Sequence, residues 1–399
     1  MPPLDGRRIW FVGIGGAGLS GYAILARAWG AEAAGWDKRE TPFLARVRAA
    51  GIDVTIAPEP VVDEAAELVV STAYAPQVEG RSRADFLAEL VALEPAIVVA
   101  GAHGKTTTAA MIAFCLDRLG YDPSFAIGGE VPQLGTHARA GTGPFVVEGD
   151  ESDRTVAALP ARVAVITNVD LDHHTTFASR AEVEELFEGW VTSMRVPVVV
   201  RGEGLEPVEF ALRIPGEHNR LNAACALAAL EAVGVSREDA IPLLADFDGA
   251  ARRLEARGEA AGIRVFDDYG HHPAEISATL AAARELADGG RLVVLFQPHL
   301  YSRTLHLARE LASALAAADV VCVADVYPAR EAPLDGVTGK LVVDRLCELR
   351  PGMPVGWAPR IAEGAALVAG EARAGDVVVT IGAGDVDAAV PAILAGLRA

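Results

Sequence analysis

Short apolar runs alternate with longer alanine- and leucine-rich stretches along the whole chain. Ile9–Val12, Ile97–Ala100, Phe145–Val147, Val163–Thr167, Arg264–Asp267, Leu292–Phe296, Val320–Ala324 and Val377–Ile381 are flat in hydrophobicity rather than alternating. Such runs predict strands of a parallel sheet covered on both faces. Between them, Leu19–Trp29, Thr106–Leu119, Asn222–Val233, Ala274–Leu286 and Leu305–Ala318 predict helices. Gly30, Gly120 and Gly234 stand where a left-handed residue would end a helix, and Pro273 stands where one would begin. The pattern is α/β with parallel sheets, built more than once. Breaks at Glu94-Pro95 and Arg257-Gly258 divide the chain into units 1–95, 96–257 and 258–399, with no short internal repeat.

Composition narrows the choices. A hydrophobic share of 51% with 22% charged residues excludes wholesale disorder, and the glycines and prolines follow no collagen-like period. The net charge of −19 argues against nucleic acid or an anionic membrane as a partner. Cys115, Cys225, Cys322 and Cys347 are far apart in apolar surroundings, with no CxxC pair, so they predict small core residues in a reducing cytoplasm. The first apolar run meets glycines within a few residues, as a buried strand does and a signal peptide does not. No apolar stretch is long enough to span a bilayer. A soluble, cytoplasmic protein is expected.

Two glycine loops carry the first chemical signals. Gly13-Ile14-Gly15-Gly16-Ala17-Gly18 follows a strand and opens a helix, where backbone N–H groups can approach a pyrophosphate. Asp37 follows at the end of a second strand, completing a dinucleotide-type fingerprint. Alone, this loop fits a nicotinamide enzyme, another nucleotide binder or a tight βα turn. Gly101-Ala102-His103-Gly104-Lys105-Thr106-Thr107-Thr108 is a second such loop, one in which Lys105 would neutralise phosphate and Thr106 or Thr107 would offer a hydroxyl to Mg²⁺. A dehydrogenase has no use for the second loop. An enzyme joining a nucleotide-linked substrate to ATP chemistry uses both.

Acidic and histidine-rich segments follow later strands. Glu148-Gly149-Asp150-Glu151-Ser152-Asp153 crowds carboxylates that would repel one another without a cation, and Mg²⁺ prefers oxygen ligands. Thr167-Asn168-Val169-Asp170-Leu171-Asp172-His173-His174 ends the next strand, so His173 and Glu148 are expected at one crevice. PGEHNRLN (Pro215–Asn222), Arg252-Arg253, DDYGHHP (Asp267–Pro273), FQPHLYSRT (Phe296–Thr304) and GAGD (Gly382–Asp385) complete the set.

This ordered series resembles the Mur ligases across nearly the whole chain. The resemblance implies three domains: an N-terminal Rossmann-like domain that binds a UDP-sugar, a central P-loop ATPase-type parallel sheet, and a C-terminal Rossmann-like domain that closes over the site. It implies that Gly15, Gly16 and Gly18, with Asp37, serve the UDP-sugar. Gly101, Gly104, Lys105, Thr106, Thr107, His218, Asn219, Arg253 and Asp268 would serve ATP. Thr106, Glu148 and His173 would hold Mg²⁺ or Mn²⁺. Lys105, His173, His272, His299 and Arg303 would stand near the reacting groups, with Arg303 suited to an amino-acid carboxylate and Tyr269 close to the substrates.

Within that family, the motifs are most similar to those of members joining L-alanine to UDP-N-acetylmuramate through an acyl phosphate, in peptidoglycan precursor synthesis. The expected partners are UDP-N-acetylmuramate, L-alanine and ATP, with the chain a monomer or weak homodimer. Three departures stand out. The stretch from His173 to His218 is shorter than is usual in the family, Thr175 replaces an aspartate, and Leu300 replaces an arginine of some members. The alternatives are a recycling ligase that adds a tripeptide to the same UDP-sugar, a nicotinamide-dependent oxidoreductase and a silent nucleotide binder. DESD and DDYGHHP favour the alanine reading over the recycling one.

Overall fold

A computed structural model describes residues 1–171, 176–329 and 331–398. Among these residues the strands are β1 (Arg8–Val12), β2 (Glu32–Asp37), β3 (Asp53–Ile56), β4 (Glu67–Val70), β5 (Arg81–Ser82), β6 (Ala96–Ala100), β7 (Ser124–Val131), β8 (Thr136–Arg139), β9 (Phe145–Glu148), β10 (Val163–Ile166), β11 (Val198–Arg201), β12 (Glu255–Ala260), β13 (Ile263–Asp268), β14 (Leu292–Phe296), β15 (Val320–Ala324), β16 (Val355–Ala358) and β17 (Val377–Ile381). The α-helices are α1 (Ala17–Ala28), α2 (Leu44–Ala49), α3 (Arg83–Val91), α4 (Lys105–Arg118), α5 (Arg180–Ser193), α6 (Glu217–Ala232), α7 (Arg237–Ala245), α8 (Pro273–Ala287), α9 (Tyr301–Leu315), α10 (Lys340–Leu349), α11 (Ile361–Glu371) and α12 (Val390–Gly396). None of these helices is long and apolar enough to cross a membrane.

The chain divides into two compact units. The first runs from Met1 to Arg213 and from Arg220 to Ala250; the second comprises Ile214–Asn219 and the residues from Ala251 onward.

The first unit holds two sheets. One has the order β3-β2-β1-β4-β5, all parallel, and the other β11-β10-β6-β9-β7-β8, antiparallel only at the β7–β8 edge. Their cores merge: Leu25, Ala26 and Trp29 of the α1 region belong to the same buried cluster as Phe145, Val147 and Ala164 of the second sheet. Helix α1 packs on β7 and β8, and Trp29 meets Phe145 edge-on with ring centroids 5.8 Å apart.

The second unit has one sheet, order β12-β13-β17-β14-β15-β16, parallel except for β12. Its strands show why flat apolar runs were required. On β14, Leu292, Val294 and Phe296 enter one buried cluster, while Val293 and Leu295 enter another on the opposite face. Helices α8, α9 and α10 cover the first face, and α11 and α12 the second.

Gly30, Gly120 and Gly234 all have positive φ (99°, 78° and 91°) just beyond α1, α4 and α6. Three expectations are corrected. Arg257-Gly258 is no linker but lies inside edge strand β12, where the register shifts between Ala256 and Gly258 to form a bulge. Helix α6 begins at Glu217, earlier than Asn222, so His218 and Asn219 occupy its first turn. Cys347 is exposed on α10, unlike Cys115, Cys225 and Cys322, which are buried.

Candidate active site

The first glycine loop, a candidate anion cradle, lies at the carboxyl ends of β1, β2 and β4, where the strand order reverses beside β1. Gly13 has φ +84°, and a Cβ there would lie 2.6 Å from Ser71 Oγ and 2.9 Å from Tyr74. Only glycine fits. At Gly15 the backbone is pinned from both sides: its N–H donates to Asp37 Oδ2 at 2.8 Å, and its carbonyl accepts from Thr41 Oγ1 at 2.8 Å. Asp37 Oδ1 also accepts from the Arg39 N–H at 3.4 Å, so this buried carboxylate shapes the loop. Helix α1 starts directly after Gly16 and has no side-chain cap, which leaves amide hydrogens at its positive end. Beside Gly18 lie the Tyr22 hydroxyl, whose pKa burial pushes up to about 12, and the guanidinium of Arg83.

The second cradle sits at the ends of β6, β9 and β10, which are neighbours in the second sheet. The loop from Gly101 to Gly104 is gripped from β10: Thr167 Oγ1 donates to His103 O at 2.6 Å, while the Asn168 amide closes a ring with His103 N (3.0 Å) and O (2.9 Å). Gly101 and Gly104 have φ of +123° and +81°, and a Cβ would meet Thr167 Oγ1 at 2.2 Å or Asn222 Oδ1 at 2.3 Å. Lys105 Nζ, folded back over the loop, donates to Gly101 O (2.6 Å), Ala102 O (3.2 Å) and Glu151 Oε2 (2.9 Å). Burial works against the Lys105 charge, but Glu151 and Asp150 outweigh it, so its pKa is raised.

Thr106 Oγ1 donates to Glu148 Oε2 at 3.1 Å, and the Gly128 N–H donates to Glu148 Oε1 at 2.5 Å. The Thr106 hydroxyl in the first turn of α4 and the Glu148 carboxylate at the end of β9 form a hard oxygen donor set, which suits Mg²⁺. Thr107 is buried in the first turn of α4. Burial disfavours the Asp150 carboxylate, yet Lys105 and Arg83 hold it down to about 2. His173, expected with Glu148, lies outside the described residues, as does Thr175.

A separate cluster forms at the ends of β13, β17, β14 and β15 in the second unit. Asp268 Oδ2 accepts from Leu254 N and its Oδ1 from Gly270 N, both at 2.8 Å, and burial raises its pKa against the pull of Arg253. Arg252 donates to Asp267 Oδ2 (2.9 Å), Gly384 O (3.0 Å) and Gly382 O (2.7 Å), clamping the GAGD turn. Arg253 lies over the Tyr269 ring, 5.5 Å from its centroid. His272 is buried at the start of α8, its backbone N–H donating to Glu275 Oε2 at 3.2 Å. Arg303 Nη1 donates to His299 Nδ1 at 3.2 Å, which requires the neutral imidazole protonated on Nε2. The His299 ring stacks on Tyr327, 5.8 Å apart and 12° from parallel. Leu300, between His299 and the start of α9, has φ +67°, a strained conformation for a leucine. In the same unit Asn219 Nδ2 donates to Pro215 O at 2.7 Å, and His218 packs under Gly216.

Three family models match in succession: the Mur ligase family catalytic domain over residues 8–94, the Mur ligase middle domain over 99–200 and the Mur ligase glutamate ligase domain over 252–384. The UDP-N-acetylmuramate–L-alanine ligase of Acidothermus cellulolyticus is 39% identical over 455 residues, covering 98% of this chain and 95% of its own length. The chain belongs to the Mur ligase family. A Streptomyces coelicolor Mur ligase, also a UDP-N-acetylmuramate–L-alanine ligase, is 40% identical, with 96% of each chain covered. Among solved structures, the UDP-N-acetylmuramate-alanine ligase of Thermotoga maritima superposes with a TM-score of 0.82 at 25% identity, covering 98% of this chain and 99% of the other.

Several Mur ligase residues here carry weight that their motifs did not announce. Glu151 holds Lys105, Asn168 and Asn222 shape the lysine loop, and Arg252 rather than Arg253 clamps the GAGD turn. Arg83 belongs to no motif; only the fold brings it to the acidic loop.

Proposed function

We propose that this Mur ligase joins L-alanine to the lactyl carboxylate of UDP-N-acetylmuramate, with ATP converted to ADP and phosphate, in peptidoglycan precursor synthesis. The observation that carries the reading is the pair of distinct strand-to-helix glycine loops in one compact unit, one after β1 and one after β6. The full-length similarity to ligases of that name supports it. Residues 1–95 would bind the UDP-sugar, 96–257 ATP, and 258–399 the amino acid and the far side of ATP.

A carboxylate is a poor electrophile, so it must first acquire a leaving group. A lactyl carboxylate oxygen attacks the γ-phosphorus, the bond to the β-phosphate oxygen breaks, and an acyl phosphate and ADP result. The L-alanine amine then attacks the acyl carbon; the amide forms, inorganic phosphate departs and the amine proton passes to a base.

Gly18, in the uncapped first turn of α1, presents its amide hydrogen to the UDP diphosphate, while Gly15 and Gly16, whose N–H groups are held by Asp37 and Gly13 O, let the loop come close to it. Gly101 and Gly104 let the second loop curl around the ATP phosphates. Lys105 leaves its carbonyl and Glu151 partners to neutralise the transferring group, and Thr107 supports the loop. Mg²⁺ or Mn²⁺, bound by Thr106, Glu148 and His173, would neutralise the charge of the triphosphate. His218, Asn219, Arg253 and Asp268 would serve the nucleotide. Arg303 pairs with the alanine carboxylate, and the amine proton passes to His272, or to His299 Nδ1 once Arg303 has left it for that carboxylate. The working species is a cytoplasmic monomer or weak homodimer.

Phosphate release from ATP in the presence of UDP-N-acetylmuramate tests this, compared across L-alanine, L-serine, glycine and tripeptide. Turnover that depends on L-alanine is expected. Turnover with tripeptide alone would make this a recycling ligase, and reduction of NAD without ATP would refute both.

A further inference from the structure

Arg83 is the first residue of α3, a position where the helix dipole disfavours a cation. Capping does not explain it, because Ser82 Oγ already accepts from the Asp85 N–H at 3.0 Å. The side chain instead reaches the acidic loop after β9. Its Nη2 donates to Asp150 Oδ2 and to Asp153 Oδ2, each at 2.8 Å, and its Nε donates to Asp153 Oδ2 at 3.0 Å. The third nitrogen, Nη1, makes no hydrogen bond among the described residues and faces the other way. A Cβ placed on Gly18 would lie 3.3 Å from it, so this N–H edge borders the first turn of α1. The Tyr22 hydroxyl lies beside the same spot and stays neutral at physiological pH, offering a donor without a competing charge.

We propose that Arg83 couples the two cradles, Nη1 binding the diphosphate on the glycine loop while Nε and Nη2 hold the acidic loop that braces Lys105. The proposal rests on reading the glycine loop as a diphosphate site. A guanidinium suits the task because its planar fork can serve anions on two edges at once, which a single ammonium cannot. Asp150 and Asp153 together outweigh one guanidinium, so this trio carries net negative charge beside the cradle. A diphosphate that draws Arg83 toward Gly18 shifts Asp150, whose neighbour Glu151 holds Lys105. Coupling of this kind is reciprocal: occupancy of the lysine loop must alter affinity at the glycine loop by the same factor.

Calorimetric titration of the full chain with UDP and with uridine, each with and without Mg²⁺ and a non-hydrolysable ATP analogue, tests the idea. In the wild type the analogue should change UDP affinity about fivefold or more. Arg83→Ala should weaken UDP binding about ten- to a hundredfold, leave uridine binding unchanged and abolish the effect of the analogue. Arg83→Lys should regain part of the UDP affinity but none of the coupling. Asp153→Asn, which keeps the guanidinium and removes one of its partners, should tighten UDP binding and weaken the coupling. Equal losses for UDP and uridine in Arg83→Ala, wild-type UDP affinity in that variant, an Asp153→Asn variant indistinguishable from wild type, or no coupling in the wild type would each overturn the proposal. If the wild type binds ATP but no UDP at all, the functional reading itself falls first.

Discussion

Replacing Lys105 with methionine separates what this residue does for folding from what it does for chemistry. Its ammonium is 2.9 Å from Glu151 Oε2, and the side chains are 18% and 3% exposed. Removing the cation strands a buried carboxylate, and breaking such a pair costs about 3–5 kcal/mol. The partial exposure of Lys105 and the other contacts of Glu151 favour the lower end, about 3 kcal/mol, with roughly 1 kcal/mol more for the lost bonds to Gly101 O and Ala102 O. The double variant Lys105→Met/Glu151→Gln leaves no stranded charge, so its deficit should shrink to about 1–2 kcal/mol.

Denaturant titration followed by tryptophan fluorescence reports mainly on the first unit, since Trp10, Trp29, Trp36 and Trp190 lie there and Trp357 does not. Neither variant should release phosphate from ATP. Equal instability in the single and double variants would refute the ion-pair argument. Phosphate release by the double variant would refute the catalytic role of Lys105.

Gly13→Ala forces a Cβ into Ser71 and Tyr74 at a positive φ; UDP affinity should fall at least tenfold while ATP-analogue affinity, measured in the same titration, stays within about twofold. Glu148→Gln removes the charge beside Thr106, and the Mg²⁺ concentration for half-maximal phosphate release should rise about tenfold. The pKa of Asp150 is held at about 2, below its ordinary 3.8. Its ionised form therefore stabilises the fold fully above pH 4, and that contribution disappears as pH falls toward 2. Asp150→Asn should flatten the fall of the denaturation midpoint across this window.

Strands buried on both faces were legible because nearly every residue in them is apolar: all of Leu292–Phe296, and all of Val377–Ile381 but Thr380, whose buried hydroxyl donates to Asp267. Edge strands were not. DVTI of β3 is largely exposed, β5 is two residues long, and EARGEA of β12 carries charge on an open edge and reads as a linker. At the site, glycine loops could be found because they need particular φ values and follow strands. Arg83 could not, since an arginine in the polar stretch GRSRAD has no local pattern, and its partners lie about seventy positions away. Asp37 shows the converse: its spacing completed a dinucleotide-type fingerprint, while the structure turns both its oxygens onto loop N–H groups.

The merged interior beneath α1 limits how this enzyme can be recombined. A chimera that took residues 1–94 from another member would bring a different α1 face to β7 and β8, where Trp29 now meets Phe145 and Ser20 Oγ sits 3.0 Å from His137 Nε2. Each large apolar side chain left unmatched forfeits about 1.5–3 kcal/mol. The seam that looks natural in sequence, at Glu94-Pro95, is therefore a poor crossover point. Grafts that keep the first two sheets together, and exchange Ile214–Asn219 along with the chain beyond Ala250, respect the boundary along which the molecule is built.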